Sequence, residues 1–256
     1  MGPGSMANKI KQIWQAGGAV VNGWLAIPSG FSAEVMAQAG WDSILVDLQH
    51  GVQDYMSMVQ CFQAMQAHPV VPMVRVPWNE PGIIGKAIDA GAMGVVCPMV
   101  NTAEEARAFV AACRYPPEGL RSNGPIRAGI YKDGYQATAN ADTLRIPMVE
   151  TAQAVANLDA ILDVPGVDAV YIGPSDLGFS MGLPPILDRE EPQVLEVYAR
   201  VVAAAKQRGI AACLHCATAA YARRAIGMGF QLVTIGSDSM FVLAGSRAAL
   251  AAVRAA

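Results

Sequence analysis

Apolar residues along this chain fall into short dense runs, separated by longer stretches in which they recur every three or four positions. The dense runs, at residues 20–27, 43–47, 70–76, 94–99, 145–150, 169–172, 210–215 and 232–235, read as buried strands. The spaced, alanine-rich stretches at 32–39, 54–67, 81–90, 102–113, 151–162, 192–208, 218–228 and 237–256 read as helices. Boundary residues agree. Thr102 and Thr218 suit helix N-caps, with Glu105 completing a capping box, and Gly40, Gly91, Gly209 and Gly229 stand where a helix is expected to stop.

Strict alternation of strand and helix implies parallel strands under covering helices, and eight such units close into a (β/α)8 TIM barrel. The length of 256 residues, 53% of them hydrophobic, suits a single barrel of about 250 residues. A doubly wound open sheet is the competing α/β architecture, but no G-x-G-x-x-G follows the first strand. Two connections, 115–142 and 173–191, are long and rich in Gly and Pro and are expected to be loops that serve a site or a subunit contact. The opening M-G-P-G-S, ahead of Met6, reads as a cloning or protease-site remnant, which leaves 6–256 as the barrel domain.

Charge and cysteine content narrow the function classes. A net charge of −3 without any Lys/Arg-rich run offers nothing to a phosphate backbone, so nucleic acid is not an expected partner. No stretch approaches the roughly 18 apolar residues of a membrane span, and a cytoplasmic protein is the expectation. Cys61, Cys97, Cys113, Cys213 and Cys216 are odd in number in a chain too large to need staples, so reduced thiols are expected. Cys213 and Cys216 form a C-x-x-C inside a strand-like run, and packing accounts for it better than zinc.

Polar residues collect at strand ends. Glu150 closes the fifth run in R-I-P-M-V-E-T, and Asp176 follows the sixth by the short turn G-P-S. Asp47 closes the second run, with Gln49 and His50 in the next turn, and Arg75 closes the third. In a barrel these carboxyl ends form one face, so residues far apart in sequence converge there. Two acids with room for water and substrate oxygens suit an octahedral divalent cation such as Mg2+ or Mn2+. Each residue alone has a plainer reading: Glu150 as a cap for the helix after it, Arg75 as a surface ion-pair partner, His50 as a hydrogen-bonded turn residue.

The motifs N-G-W-L at 22–25, V-D-L-Q-H-G, V-R-V-P-W-N-E-P, G-V-V-C-P-M-V, R-Y-P-P-E-G-L-R, M-V-E-T and Y-I-G-P-S-D-L together resemble the metal-dependent (class II) pyruvate aldolases of the 4-hydroxy-2-oxoheptanedioate aldolase type, within the citrate lyase superfamily. The resemblance implies that Glu150 and Asp176 bind a divalent metal (Mg2+, Mn2+ or Co2+), which chelates the 2-oxo and carboxylate oxygens of pyruvate or a close 2-oxoacid. It implies that Arg75 touches the 2-oxo oxygen, that His50, oriented by Asp47, is the base for the 4-hydroxyl, and that the amides of Gly173, Ser175 and Asp176 hold the carboxylate. Trp24 joins the substrate-binding positions. A homohexamer of trimers with exchanged C-terminal helices is also implied.

The chemistry is consistent. Cleaving the C3–C4 bond of a 4-hydroxy-2-oxoacid leaves an enolate whose charge builds on the 2-oxygen, where a Lewis acid and a guanidinium stabilise it. The other solution is a lysine Schiff base. None of Lys9, Lys11, Lys86, Lys132 and Lys206 falls at a predicted strand end. Departures from the family pattern are Leu48-Gln49 between Asp47 and His50, Met148 ahead of Glu150, and Ser122 after Arg121. These bear on the aldehyde half of the substrate, for which Leu214 and His215 on the seventh strand are candidate lining residues. An acyl-CoA lyase of the same superfamily and a non-catalytic 2-oxoacid-binding barrel are the rival readings.

Overall fold

A computed structural model describes residues 8–255; the expected remnant at 1–5 lies outside the described residues. Eight strands carry the chain: β1 (Val20–Leu25), β2 (Ser43–Asp47), β3 (Val71–Arg75), β4 (Gly94–Cys97), β5 (Leu144–Pro147), β6 (Ala169–Ile172), β7 (Ala211–Cys216) and β8 (Leu232–Ile235). Thirteen helices surround them among the described residues. The first seven are α1 (Lys9–Gln15), α2 (Gly30–Ala37), α3 (Tyr55–Met65), α4 (Pro81–Asp89), α5 (Ala103–Cys113), α6 (Ile126–Tyr131) and α7 (Tyr135–Asp142). The remainder are α8 (Ala152–Ala156), α9 (Leu158–Leu162), α10 (Pro174–Ser180), α11 (Pro192–Gln207), α12 (Ala219–Met228) and α13 (Asp238–Arg254).

Among the described residues all the strand ladders are parallel, in the order β5-β4-β3-β2-β1-β8-β7-β6. The remaining seam is drawn together by the Asp168 amide on Arg145 O at 3.0 Å and the Val149 amide on Tyr171 O at 2.8 Å. A bridge between Met148 and Tyr171 adds to it. The sheet is therefore a nearly closed (β/α)8 barrel.

Successive strand residues face opposite ways, which gives two apolar layers. Leu45, Met73, Val96, Ile146, Tyr171 and Cys213 pack inside the barrel. Ile44, Val46, Val74, Val95, Val170 and Leu214 pack outward under the helices. Cys213 and Cys216 thus lie in different layers, and all five thiols are free and buried. At the amino ends of the strands α1 acts as a plug. Its Ile10 is wholly buried in the inner layer, a contribution of about 1.5–3 kcal/mol. Asn8 Nδ2 donates to Met93 O and Asp142 O, both at 2.9 Å, and Lys11 pairs with Asp168.

The two long connections are not plain loops. The first holds α6 and α7, tied down by the Lys132–Asp142 ion pair, and the second holds α10. The helix expected over 151–162 is broken at Asn157 into α8 and α9. At the far end, every residue of α13 from Met240 onward is exposed, including Phe241, Val242, Leu243, Leu250 and Val253. Among the described residues, no helix is long and apolar enough to cross a membrane.

Candidate active site

The carboxyl ends of the strands bring Trp24, Asp47, Arg75, Glu150, Asp176 and His215 to one mouth. Asp47 ends β2 beside Arg75, its register partner on β3. Arg75 Nε donates to Asp47 Oδ1 at 2.9 Å and Nη2 to Oδ2 at 2.7 Å, and both residues are buried. This forked geometry uses two guanidinium nitrogens and leaves Nη1 for a ligand. Trp24 Nε1 donates to the same Oδ2 at 3.2 Å, and the Arg75 guanidinium lies 4.7 Å from the Trp24 ring centroid. Burial opposes ionisation of Asp47, but the hydrogen bonds and charge of Arg75, with the amides of Gln49 and His50, outweigh it and hold the carboxyl below its ordinary range.

The expected Asp47–His50 dyad takes a different form. Asp47 Oδ1 accepts from the backbone amides of Gln49 at 3.1 Å and His50 at 3.3 Å. Among the described residues it makes no hydrogen bond to the His50 ring, because Arg75 and Trp24 already occupy its oxygens. Asp47 therefore fixes the turn that carries His50, whose side chain is exposed.

Glu150 is 1% exposed. It does not cap the next helix, since Thr151 does so by accepting from the Ala154 amide at 3.0 Å. Instead Glu150 Oε1 accepts from the Met99 amide at 2.8 Å, while Oε2 is buried without any partner. Its carboxyl is pushed up to about 7; burial is the main cause, opposed by the Met99 amide, reinforced by the Asp176 charge and opposed by Arg75. Gly173 lies against it, and a Cβ there would overlap Oε2. Only glycine allows this approach.

Gly173, Ser175 and Asp176 form the N-cap and first turn of α10, where amides lack intrahelical partners. No side chain caps this helix, so the exposed Asp176 carboxylate is not used in capping. A buried Arg189 anchors the segment through Nε on Pro174 O at 3.2 Å.

A buried carboxylate oxygen without a hydrogen-bond partner, beside a second acid, has the donor chemistry to hold a hard cation. Two acids alone do not make a closed metal shell, and among the described residues no group of three or more His, Cys, Asp or Glu is arranged to hold an ion. A cation held by this pair would keep positions for water and ligand oxygens.

On β7 the expectation divides. His215 faces the mouth, with its ring centroid 4.7 Å from that of Trp24 in an edge-on arrangement. Burial and then the Arg75 charge lower its titration to about 4, so the ring is neutral at ordinary pH. Leu214 is wholly buried in the outer layer under the helices and does not line the mouth, a correction that follows from strand parity. Asn101 and Met99 were not singled out in the sequence. A left-handed φ at Met99 leaves no trace there, and Asn101 before the Thr102 cap looks like an ordinary turn residue.

The fold is a barrel whose polar groups gather at the carboxyl ends of the strands, the face on which barrel enzymes build their sites. The HpcH/HpaI aldolase/citrate lyase family profile matches residues 23–244. The chain is 37% identical over 249 residues to the hydroxypyruvate/pyruvate aldolase of Rhizorhabdus wittichii, covering 97% of this chain and 99% of that protein. It is 34% identical over 247 residues to a 4-hydroxy-2-oxo-heptane-1,7-dioate aldolase from Salmonella dublin, covering 95% and 93%. A crystal structure of an HpcH/HpaI aldolase/citrate lyase family protein from Burkholderia cenocepacia J2315 superposes with a TM-score of 0.91 at 34% identity, covering 97% and 100%. The chain belongs to the HpcH/HpaI aldolase/citrate lyase family and is a carbon–carbon lyase.

Proposed function

We propose that this lyase reversibly cleaves a 4-hydroxy-2-oxoacid to pyruvate, or a close 2-oxoacid, and an aldehyde, with a divalent cation held by Glu150 and Asp176. The unpartnered, buried Oε2 of Glu150 carries this reading. When bound, the cation supplies Lewis-acid stabilisation to charge developing on the 2-oxo oxygen.

The protein's own groups do the rest. Arg75, locked in orientation by Asp47, offers its remaining nitrogen to the 2-oxo oxygen and needs no reorganisation as charge grows there. Amides of the first α10 turn receive the carboxylate. His50 takes the 4-hydroxyl proton through a water; the C3–C4 electrons pass to the 2-oxoacid fragment, the hydroxyl carbon leaves as the aldehyde, and a proton returned to C3 completes pyruvate. A lysine Schiff base has no candidate at the mouth: Lys9, Lys11 and Lys132 pair with Asp42, Asp168 and Asp142 at the opposite end of the barrel, Lys86 lies over Tyr55, and Lys206 is exposed in the last turn of α11.

His215 and Trp24 form the wall for the rest of the substrate, with the neutral imidazole binding a hydroxyl of the aldehyde half. A second copy of this chain covers the exposed apolar face of α13, in keeping with the hexamer that the resemblance implies. A screen of 4-hydroxy-2-oxoacids, with pyruvate release followed in Mg2+, Mn2+ and Co2+, tests the reading. Release of pyruvate from none of them would refute it.

A further inference from the structure

Among the described residues, Met99 is the one non-glycine position with positive φ, at 54°. A side chain in that left-handed region is crowded against the backbone, so neighbouring contacts must impose it. The conformation aims the Met99 amide at Glu150 Oε1, 2.8 Å away.

Asn101 supplies the restraint. Its Nδ2 donates to Met99 O at 3.0 Å, and its Oδ1 accepts from the hydroxyl of Thr151, the residue that follows Glu150. Its own backbone is clamped on both sides: the amide donates to Glu105 Oε2 at 2.6 Å, and the carbonyl accepts from Asn157 Nδ2 at 2.8 Å. One side chain thus grips the donor that occupies Oε1 and also the residue next to Glu150 in sequence. The task needs a donor and an acceptor on one short neutral group, which asparagine has and aspartate lacks.

We propose that Asn101 is a positioning residue: by holding Met99 in its left-handed conformation and Thr151 in place, it commits Glu150 Oε1 to the Met99 amide and leaves Oε2 for the cation. The part concerning the cation rests on the proposed function; the part concerning Glu150 does not.

The test measures Mn2+ binding by electron paramagnetic resonance and exchange of the Met99 amide by NMR, in the wild type, Glu150→Ala, Asn101→Ala and Asn101→Ala/Met99→Gly. Asn101→Ala is expected to weaken Mn2+ binding by about tenfold or more, the usual cost of losing an outer partner of a ligand, and to speed Met99 exchange. Glycine takes the left-handed conformation without crowding, so Met99→Gly should restore much of the lost affinity, which a general loss of stability would not allow. Unchanged Mn2+ binding in Asn101→Ala, or no restoration by Met99→Gly, would overturn the proposal.

Should Asn101→Ala fail to fold, Asn101→Asp carries the test: it keeps the acceptor for Thr151 and loses the donor to Met99 O. Faster Met99 exchange supports the proposal and unaltered exchange overturns it. If the wild type shows no Mn2+ binding that depends on Glu150, the cation reading falls, while the exchange measurement still decides whether Asn101 holds Glu150.

Discussion

Arg75 and Asp47 meet as a fork on a carboxylate, Nε on Oδ1 at 2.9 Å and Nη2 on Oδ2 at 2.7 Å, inside the mouth of the barrel. With side chains only 10% and 4% exposed, neither charge can turn to water if the other is removed. Asp47→Ala should therefore destabilise the protein by about 3–5 kcal/mol, and the double variant Asp47→Ala/Arg75→Met should recover much of that loss. Urea unfolding of the wild type and these two variants checks both. Arg75→Met alone should cost roughly 10²–10³ in kcat, by loss of an oriented donor to the developing oxyanion.

Glu150 gives a pH dependence with a definite sign. Its carboxyl titrates near 7 without a cation, so below that pH a cation must displace a proton. Apparent Mn2+ affinity should rise about tenfold per pH unit up to 7 and level off above it. Titrations one unit below and one unit above 7 test this. A flat profile would show that Glu150 is not the ligand.

His215 is shifted the other way from Glu150. Its ring is lowered from 6.5 to about 4 in the folded protein, so between those values the unfolded chain binds more protons and stability rises with pH. His215→Leu should flatten that part of the stability profile by roughly 1–3 kcal/mol. The same variant should lose about tenfold in kcat/KM for substrates whose aldehyde half carries a hydroxyl, and little for plain aliphatic ones.

The helix α13 predicts assembly. A run with Phe241, Val242, Leu243, Leu250 and Val253 exposed is more apolar surface than one soluble chain usually leaves open. Light scattering should give the mass of a homohexamer, and a chain ending before α13 should aggregate or fall to smaller species. A monodisperse full-length monomer would contradict it.

The eight strands were legible because each is a dense apolar run that punctuation by glycine and threonine brackets, and Gly40, Gly91, Gly209 and Gly229 do have positive φ. Glu150, Asp176 and Arg75 were legible for the same reason: they stand where those runs stop. The hidden parts depend on tertiary contacts. The plug α1 is seven residues long, too short for a periodic signal, and α10 is held in place by Arg189 from beyond its own end. Asp47 could be seen beside His50 in sequence, but its choice of Arg75 and Trp24 is made across three strands. Leu214 and His215 could be told apart only once Cys213 was known to face inward.

Glu150 and Asp176 are proposed to hold a divalent cation required for carbon–carbon cleavage. The most direct measurement is pyruvate release from a 4-hydroxy-2-oxoacid by protein stripped with a chelator, before and after Mn2+ is restored, alongside Glu150→Ala and Asp176→Ala. Stripped protein should be inactive, Mn2+ should restore it, and neither variant should be restored. Full activity in the stripped wild type, or Mn2+-restored activity in either variant, would contradict it.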